Sequence, residues 1–210
     1  MKQQIVVTGT DTGIGKSVFS AGLADLLGAN YWKPIQAGLE GETDAELVAR
    51  LGNLSSDRIV PERYRLQTPA SPHHSAEIDG IRIEPDVLNV PDSGDRPLVI
   101  EGAGGLMVPL RGETLYIDVF ERWRIPVVLC ASTALGTINH SLLSIEALRT
   151  RQIPILGIAF IGEPNAETQI AIREIGRARW LGRLPWLCPL AADTLQAAFK
   201  SSFRADQFKQ

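Results

Sequence analysis

Short apolar runs alternate along this chain with segments whose apolar residues recur every three or four positions. Residues 5–7, 97–101 (apolar as far as Glu101), 126–130 and 155–161 are the runs, each suited to a strand buried on both faces. Residues 31–35 read as a further short strand carrying Lys33 and Pro34, and residues 182–187 as the last. Helical spacing starts at Lys16 and continues through Val18, Phe19, Leu23, Leu26 and Leu27. A second helix is announced by Thr43 and Glu46, a capping-box pair ahead of Leu47, Val48 and Leu51. Further helices are expected over 114–123, 136–150, 166–179 and 191–199. In the helix over 136–150, Thr137 or Asn139 is the expected cap and Leu142, Leu143, Ile145 and Leu148 the expected buried side. The polar tail from Lys200 is expected to fray. Strands alternating with helices predict an α/β fold, a mainly parallel sheet flanked by helices in three layers. Ligands in such folds sit at the carboxyl ends of the strands. Between residues 53 and 83 the pattern weakens around Pro61, Pro69 and Pro72, and a connection this irregular is expected to build a site. Residues 70–76 are expected to line the cleft.

The first strand leads into Gly9-Thr-Asp-Thr-Gly13-Ile14-Gly15-Lys16-Ser17 and then directly into a helix. A strand, a glycine-rich turn and a helix N-terminus form an anion site, because free amides and the helix dipole both face the turn. Lys16 supplies a full charge for phosphates, and the Ser17 hydroxyl suits Mg²⁺. The usual spacing wants glycine at position 10, where Thr10 stands; Gly9 makes the loop one residue longer. Glu101, ending an apolar strand ahead of an expected glycine loop, Gly102-Ala103-Gly104-Gly105, has the placement of a second metal carboxylate. Asp44, in the first turn of its helix, serves equally as a metal ligand or a dipole partner. Lys33, at a strand's carboxyl end, is poised for charge developing on a transferring phosphoryl group. The helix start at Thr137, Ile138 and Asn139 would suit a carboxylate.

With 210 residues, the chain is expected to form a single P-loop nucleotide-binding domain over 1–210. A net charge of −3 without a Lys/Arg cluster argues against a nucleic-acid partner, and no apolar stretch approaches membrane-spanning length. Lys2 leads straight into the first strand, which leaves no room for a secretion signal. Cys130 and Cys188 read as isolated, reduced, small hydrophobic residues, and the cytoplasm is the expected compartment. His73, His74 and His140 have no metal-ligand spacing with them.

The ordered set of motifs carries a family resemblance. It comprises residues 9–17, Lys33-Pro34, Thr43-Asp44-Ala45, Ser71-Pro72-His73, Glu101-Gly102-Ala103-Gly104-Gly105, Gly136-Thr137-Ile138-Asn139-His140 and Leu184-Pro185-Trp186. Together they resemble dethiobiotin synthetase over nearly the whole chain, and the longer phosphate loop is that family's variant. The resemblance implies a homodimeric ligase of biotin biosynthesis with ATP and Mg²⁺. It would join 7,8-diaminononanoate with CO₂ through a carbamate and a carbamic-phosphoric anhydride. It further implies catalytic roles for Lys16 and Lys33, and metal binding by Ser17, Asp44 and Glu101. Nucleotide would be held by Gly13, Ile14, Gly15, Lys16, Ser17, Val18 and Pro185. Substrate would be held by Thr12, Lys33, Ser71, Pro72 and Gly104, with Thr137, Ile138 and Asn139 reaching over from a partner subunit.

Three positions depart from relatives. Ser17 replaces a threonine and keeps the hydroxyl. Ala37 replaces a serine, a loss on the order of 1 kcal/mol in one hydrogen bond. Ile161 stands where some members carry an adenine-reading asparagine, and its lack of any donor or acceptor predicts weaker base discrimination. The competing reading is a partitioning or positioning switch ATPase, which shares the fold. Such proteins usually carry another lysine early in the loop, and residues 9–14 have none. An amidoligase acting on a larger cofactor precursor would need an ammonia-supplying domain, for which this chain has no space.

Overall fold

The computed structural model describes residues 3–209, so the expectations attached to Lys2 and to the last residue, Gln210, lie outside the described residues. The chain runs β1 (Gln4–Gly9), α1 (Lys16–Leu27), β2 (Asn30–Trp32), β3 (Ile35–Ala37), α2 (Asp44–Leu51), β4 (Ile59–Val60), β5 (Tyr64–Leu66) and α3 (Pro72–Ile78). It continues with β6 (Leu98–Gly105), β7 (Pro109–Arg111), β8 (Thr114–Leu115), α4 (Tyr116–Trp123), β9 (Val127–Ser132) and α5 (Thr137–Thr150). The last elements are β10 (Ile155–Ile161), α6 (Ala166–Ile175), β11 (Trp180–Leu184) and α7 (Ala192–Ser202). Among the described residues, seven strands form one parallel sheet in the order β11-β10-β9-β1-β6-β2-β4.

Both faces of this sheet are covered, which is why its strands read as continuous apolar runs. Alternation along each strand divides the core. Ile5, Val7, Tyr31 and Val99 face α1, α2 and α7, while Val6, Trp32, Leu98 and Ile100 face the layer built by α4. A third cluster seals Leu129, Ala131, Ile158 and Phe160 under Ile145 of α5 and Ile172 of α6. Gly22 lets α7 come close to α1, since a Cβ there would lie 2.2 Å from the Phe199 ring.

Several expectations are corrected. The strand over 31–35 is two strands, broken at Lys33-Pro34, where proline has no N–H for a ladder. Gly102–Gly105 is not a loop, because β6 runs on to Gly105. Residues 114–115 pair with β7, and the helix starts at Tyr116. Gly136, at φ 93°, is the N-cap of α5, and neither Thr137 nor Asn139 caps it. Leu143 is 57% exposed rather than buried. Helix α6 stops at Ile175, and β11 spans 180–184 rather than 182–187. Cys130 is a buried thiol whose pKa burial drives up, but Cys188 is exposed.

Among the described residues, the tail packs against the core instead of fraying. Phe203 and Phe208 are buried, and Phe208 meets Phe19 and Phe203 at ring-centroid distances of 6.4 and 6.3 Å. Two widely spaced aromatic residues in a polar stretch give no periodicity, yet each buries a large apolar area. Phe208→Ala is expected to cost about 3–5 kcal/mol in denaturant unfolding. An unchanged midpoint would mean that the tail does not contribute to the core.

Candidate active site

At the carboxyl edge of the sheet, β1, β2 and β6 deliver three polar groups to one place. β1 ends in Gly9 and turns through the phosphate loop into α1, whose N-cap Gly15 has φ 92°. That left-handed conformation is open to glycine and strained for other residues. A Cβ at Gly9 would lie 2.5 Å from Ile14 Cδ1, so the loop is closed over the buried Ile14 side chain. Lys16 Nζ donates to the Asp11 carbonyl at 2.7 Å, bonded to the loop it belongs to. Burial pushes its pKa down, opposed by the nearby Glu101 carboxylate.

Lys33 leaves the end of β2 beside Glu101 of β6, in step with the pairing Trp32 to Ile100. Its ammonium lies 2.5 Å from Asp44 Oδ2 and 3.1 Å from Glu101 Oε1. Burial lowers the Lys33 pKa, but Glu101 and Asp44 outweigh it and hold the group above the ordinary lysine value. Asp44 is raised by burial and lowered more by Lys33 and by hydrogen bonds, so it lies below the usual aspartate value. It occupies the first turn of α2, where the expected Thr43–Glu46 capping box forms. The Gln36 side chain accepts from the Asp44 amide at 3.2 Å and locks that turn from β3.

Ser17 Oγ stands 2.5 Å from Asp44 Oδ1 and 2.8 Å from Glu101 Oε1. One hydroxyl proton cannot satisfy both carboxylates at once, so one oxygen–oxygen contact lacks a proton. Three converging oxygen donors with that shortfall fit a hard divalent cation such as Mg²⁺, which also takes water and phosphate oxygens.

These groups open onto a cleft of about 690 Å³. It is lined by most of the expected residues: Thr12, Gly13, Gly15, Lys16, Ser17, Val18, Lys33, Asp44, Ser71, Pro72, Glu101 and Gly104. Of the expected lining segment 70–76, Ala70, Ser71 and Pro72 reach the cleft, while Ser75 and Ala76 are buried. Ala37, at the position where relatives carry a serine, also lines it with Leu47, Pro69 and Val108, and of these Val108 alone had no sequence signal. Ile14 is turned into the core, so only its backbone faces a ligand. Thr137, Ile138, Asn139 and Pro185 do not line this cleft. Thr137 is buried with its hydroxyl 3.4 Å from Ser141, while Ile138 and Asn139 are exposed. Tyr31 is a participant that the sequence pattern did not mark: buried in β2, it donates to Glu101 Oε2 at 3.0 Å.

A family model described as an AAA domain matches residues 3–194. The chain is 76% identical over 208 residues to an ATP-dependent dethiobiotin synthetase of Bradyrhizobium diazoefficiens, with 99% of each covered. It is 65% identical to one of Rhodopseudomonas palustris at the same coverage. The chain belongs to the dethiobiotin synthetase family. Solved structures with the same fold include a ParA family ATPase from Chlorobium tepidum (TM-score 0.55, 13% identity, covering 95% of this chain and 91% of that one). Another is the septum site-determining protein MinD from Pyrococcus horikoshii (TM-score 0.57, 16% identity, covering 100% and 89%). Likeness at that identity concerns the fold alone, so the switch-ATPase reading has only the fold behind it.

Within the family, Ile161 is the residue of most interest. It is buried at the end of β10, in the same core as Ile14 and Leu184, and a Cβ on Gly15 would lie 3.2 Å from its Cγ2. The side chain supports the phosphate loop from below and offers nothing to a base. Ile161→Asn is expected to bury an amide in this apolar place and destabilise the fold by about 1–3 kcal/mol. Unchanged thermal and denaturant midpoints would show that the side chain can turn outward.

Proposed function

We propose that this chain catalyses the ATP-dependent closure of 7,8-diaminononanoate and CO₂ into the cyclic urea of dethiobiotin, in biotin biosynthesis. The observation that carries the reading is one cleft in which Lys16, Lys33, Ser17, Asp44 and Glu101 meet beside Thr12, Ser71, Pro72 and Gly104, in a chain of this family. One amine of the diamine adds to CO₂ and loses a proton, giving a carbamate. A carbamate oxygen attacks the γ-phosphorus, the bond to the β-phosphate oxygen breaks, and ADP leaves. The second amine attacks the carbonyl carbon of the mixed anhydride, phosphate departs, and the amine proton is released. Such a sequence needs alignment and charge neutralisation more than a strong base.

The residues divide that work. Loop amides of Gly13 to Ser17 and the α1 N-terminus bind phosphates. Lys16 exchanges its bond to the Asp11 carbonyl for the β- and γ-phosphates, and Lys33 meets negative charge on the carbamate and transferring phosphoryl oxygens. Ser17, Asp44 and Glu101 would hold Mg²⁺, which supplies charge neutralisation on the phosphates when bound. Thr12, Ser71, Pro72 and Gly104 border the diamine. The start of α5 lies off this cleft, and Leu135, Ile138 and Leu143 beside it are exposed. That supports a homodimer in which Thr137, Ile138 and Asn139 of a second copy complete the substrate's carboxylate site. Pro185, just past β11, borders the base. The reading is of one P-loop domain over 1–210, working in the cytoplasm without nucleic acid. Among the described residues, no helix is long and apolar enough to cross a membrane.

The decisive test is product mass after incubation with 7,8-diaminononanoate, bicarbonate, Mg²⁺ and each nucleoside triphosphate in turn. Dethiobiotin formed in step with triphosphate hydrolysis is the expected result, and hydrolysis without it would leave a phosphate-loop ATPase of another kind. With Ile161 buried, ATP, CTP and GTP are expected to compete within a narrow range; a strong preference for ATP would overturn this. Lys33→Gln is expected to leave nucleotide bound and cut turnover by about two orders of magnitude or more. Unchanged turnover would remove Lys33 from the chemistry.

A further inference from the structure

We propose that Tyr31 is a positioning residue: its hydroxyl fixes the Glu101 carboxylate so that one oxygen alone is presented to the metal and the phosphates. The inference rests on Glu101 as a metal-holding group and adds a residue that acts only through it.

The geometry follows from the sheet. Tyr31 is paired with Val99 across parallel strands β2 and β6, and alternation puts Tyr31, Val99 and Glu101 on the face towards α1. Glu101 lies two residues beyond Val99, a diagonal of about 7–8 Å between backbones, which a long aromatic side chain can cover. The hydroxyl donates to Oε2 at 3.0 Å. The other oxygen, Oε1, takes both Ser17 at 2.8 Å and Lys33 at 3.1 Å. The carboxylate therefore has two dissimilar sides, one held from within the core and one facing the cleft.

Tyr31 and Glu101 are both fully buried, so no solvent can replace the phenol if it is removed. Without that donor, Oε2 has nothing to hold it inward, and the carboxylate can rotate about its last bond. Partners behind a ligand in this way commonly set metal affinity by an order of magnitude or more. Tyr116 is a natural control. It is equally buried and close enough to Gly102 that a Cβ there would lie 3.1 Å from its ring, yet its hydroxyl has no hydrogen-bond partner among the described residues.

The test measures ADP binding by calorimetry against Mg²⁺ concentration, with no diamine and no turnover. Tyr31→Phe keeps the ring and is expected to raise the Mg²⁺ concentration for half-maximal tightening about tenfold. ADP affinity without Mg²⁺ should not change. Tyr116→Phe, with the same atom deleted, should leave the Mg²⁺ curve as it was. An unshifted curve for Tyr31→Phe, or an equal shift for Tyr116→Phe, would overturn the proposal. Glu101→Gln separates the two levels. If it abolishes the Mg²⁺ effect while Tyr31→Phe does nothing, only the positioning role fails. If Glu101→Gln changes nothing, the metal role of Glu101 fails with it.

Discussion

A lysine ammonium held between two carboxylates is the interaction on which the rest of this site depends. Lys33 bridges Asp44 and Glu101, which arrive from a helix and from a sheet strand far apart in the chain. The two carboxylates would repel each other, and Glu101, fully buried, would be costly to bury alone. The Lys33 ammonium lies between them, and the Ser17 hydroxyl lies against both. One formal positive charge then faces two carboxylates, and under the proposed function a divalent cation would join them as these groups exchange partners. Lys16 likewise has its hydrogen bonding met by a loop carbonyl, which under the proposed function gives way to phosphate.

The cluster is possible because the sheet is parallel and because β2 and β6 pair without a register shift. β1, β2 and β6 all end at one edge, and the pairing of Trp32 with Ile100 sets Lys33 level with Glu101. Alternation along the strands decides that Tyr31 and Glu101 face α1 while Trp32 and Ile100 face the opposite layer. A one-residue slip would exchange these faces, burying Trp32 under the phosphate loop and removing Lys33 from the carboxylates. The packing of the core and the chemistry of the cleft thus share one requirement.

The fold alone does not separate a ligase from a nucleotide switch. ParA- and MinD-type ATPases share it at 13–16% identity. Here the segment from Pro69 to Pro72 and the β6 extension through Gly104 wall one side of the cleft beside the glycine loop. Family membership and this walled cleft point the same way.

The sequence by itself determined the layered α/β architecture and the glycine-rich loop, because these depend on local pattern, while most of the cleft lining followed from the family resemblance. The apolar run of β1, the glycine-rich turn after it and the Thr43–Glu46 cap act within a few residues, and these formed where the pattern put them. Only the tertiary structure decided how distant groups meet. Lys33, Asp44 and Glu101 were each ambiguous alone, and their charges became interpretable when register and helix placement brought them within hydrogen-bonding distance. Tyr31 read as one more apolar strand residue until its hydroxyl proved to end on a carboxylate seventy positions away. Phe203 and Phe208 looked like residues of a polar tail, and Ile161 like a lost base contact. All three are buried, because a side chain's burial is set by what packs over it, and those neighbours are remote in sequence.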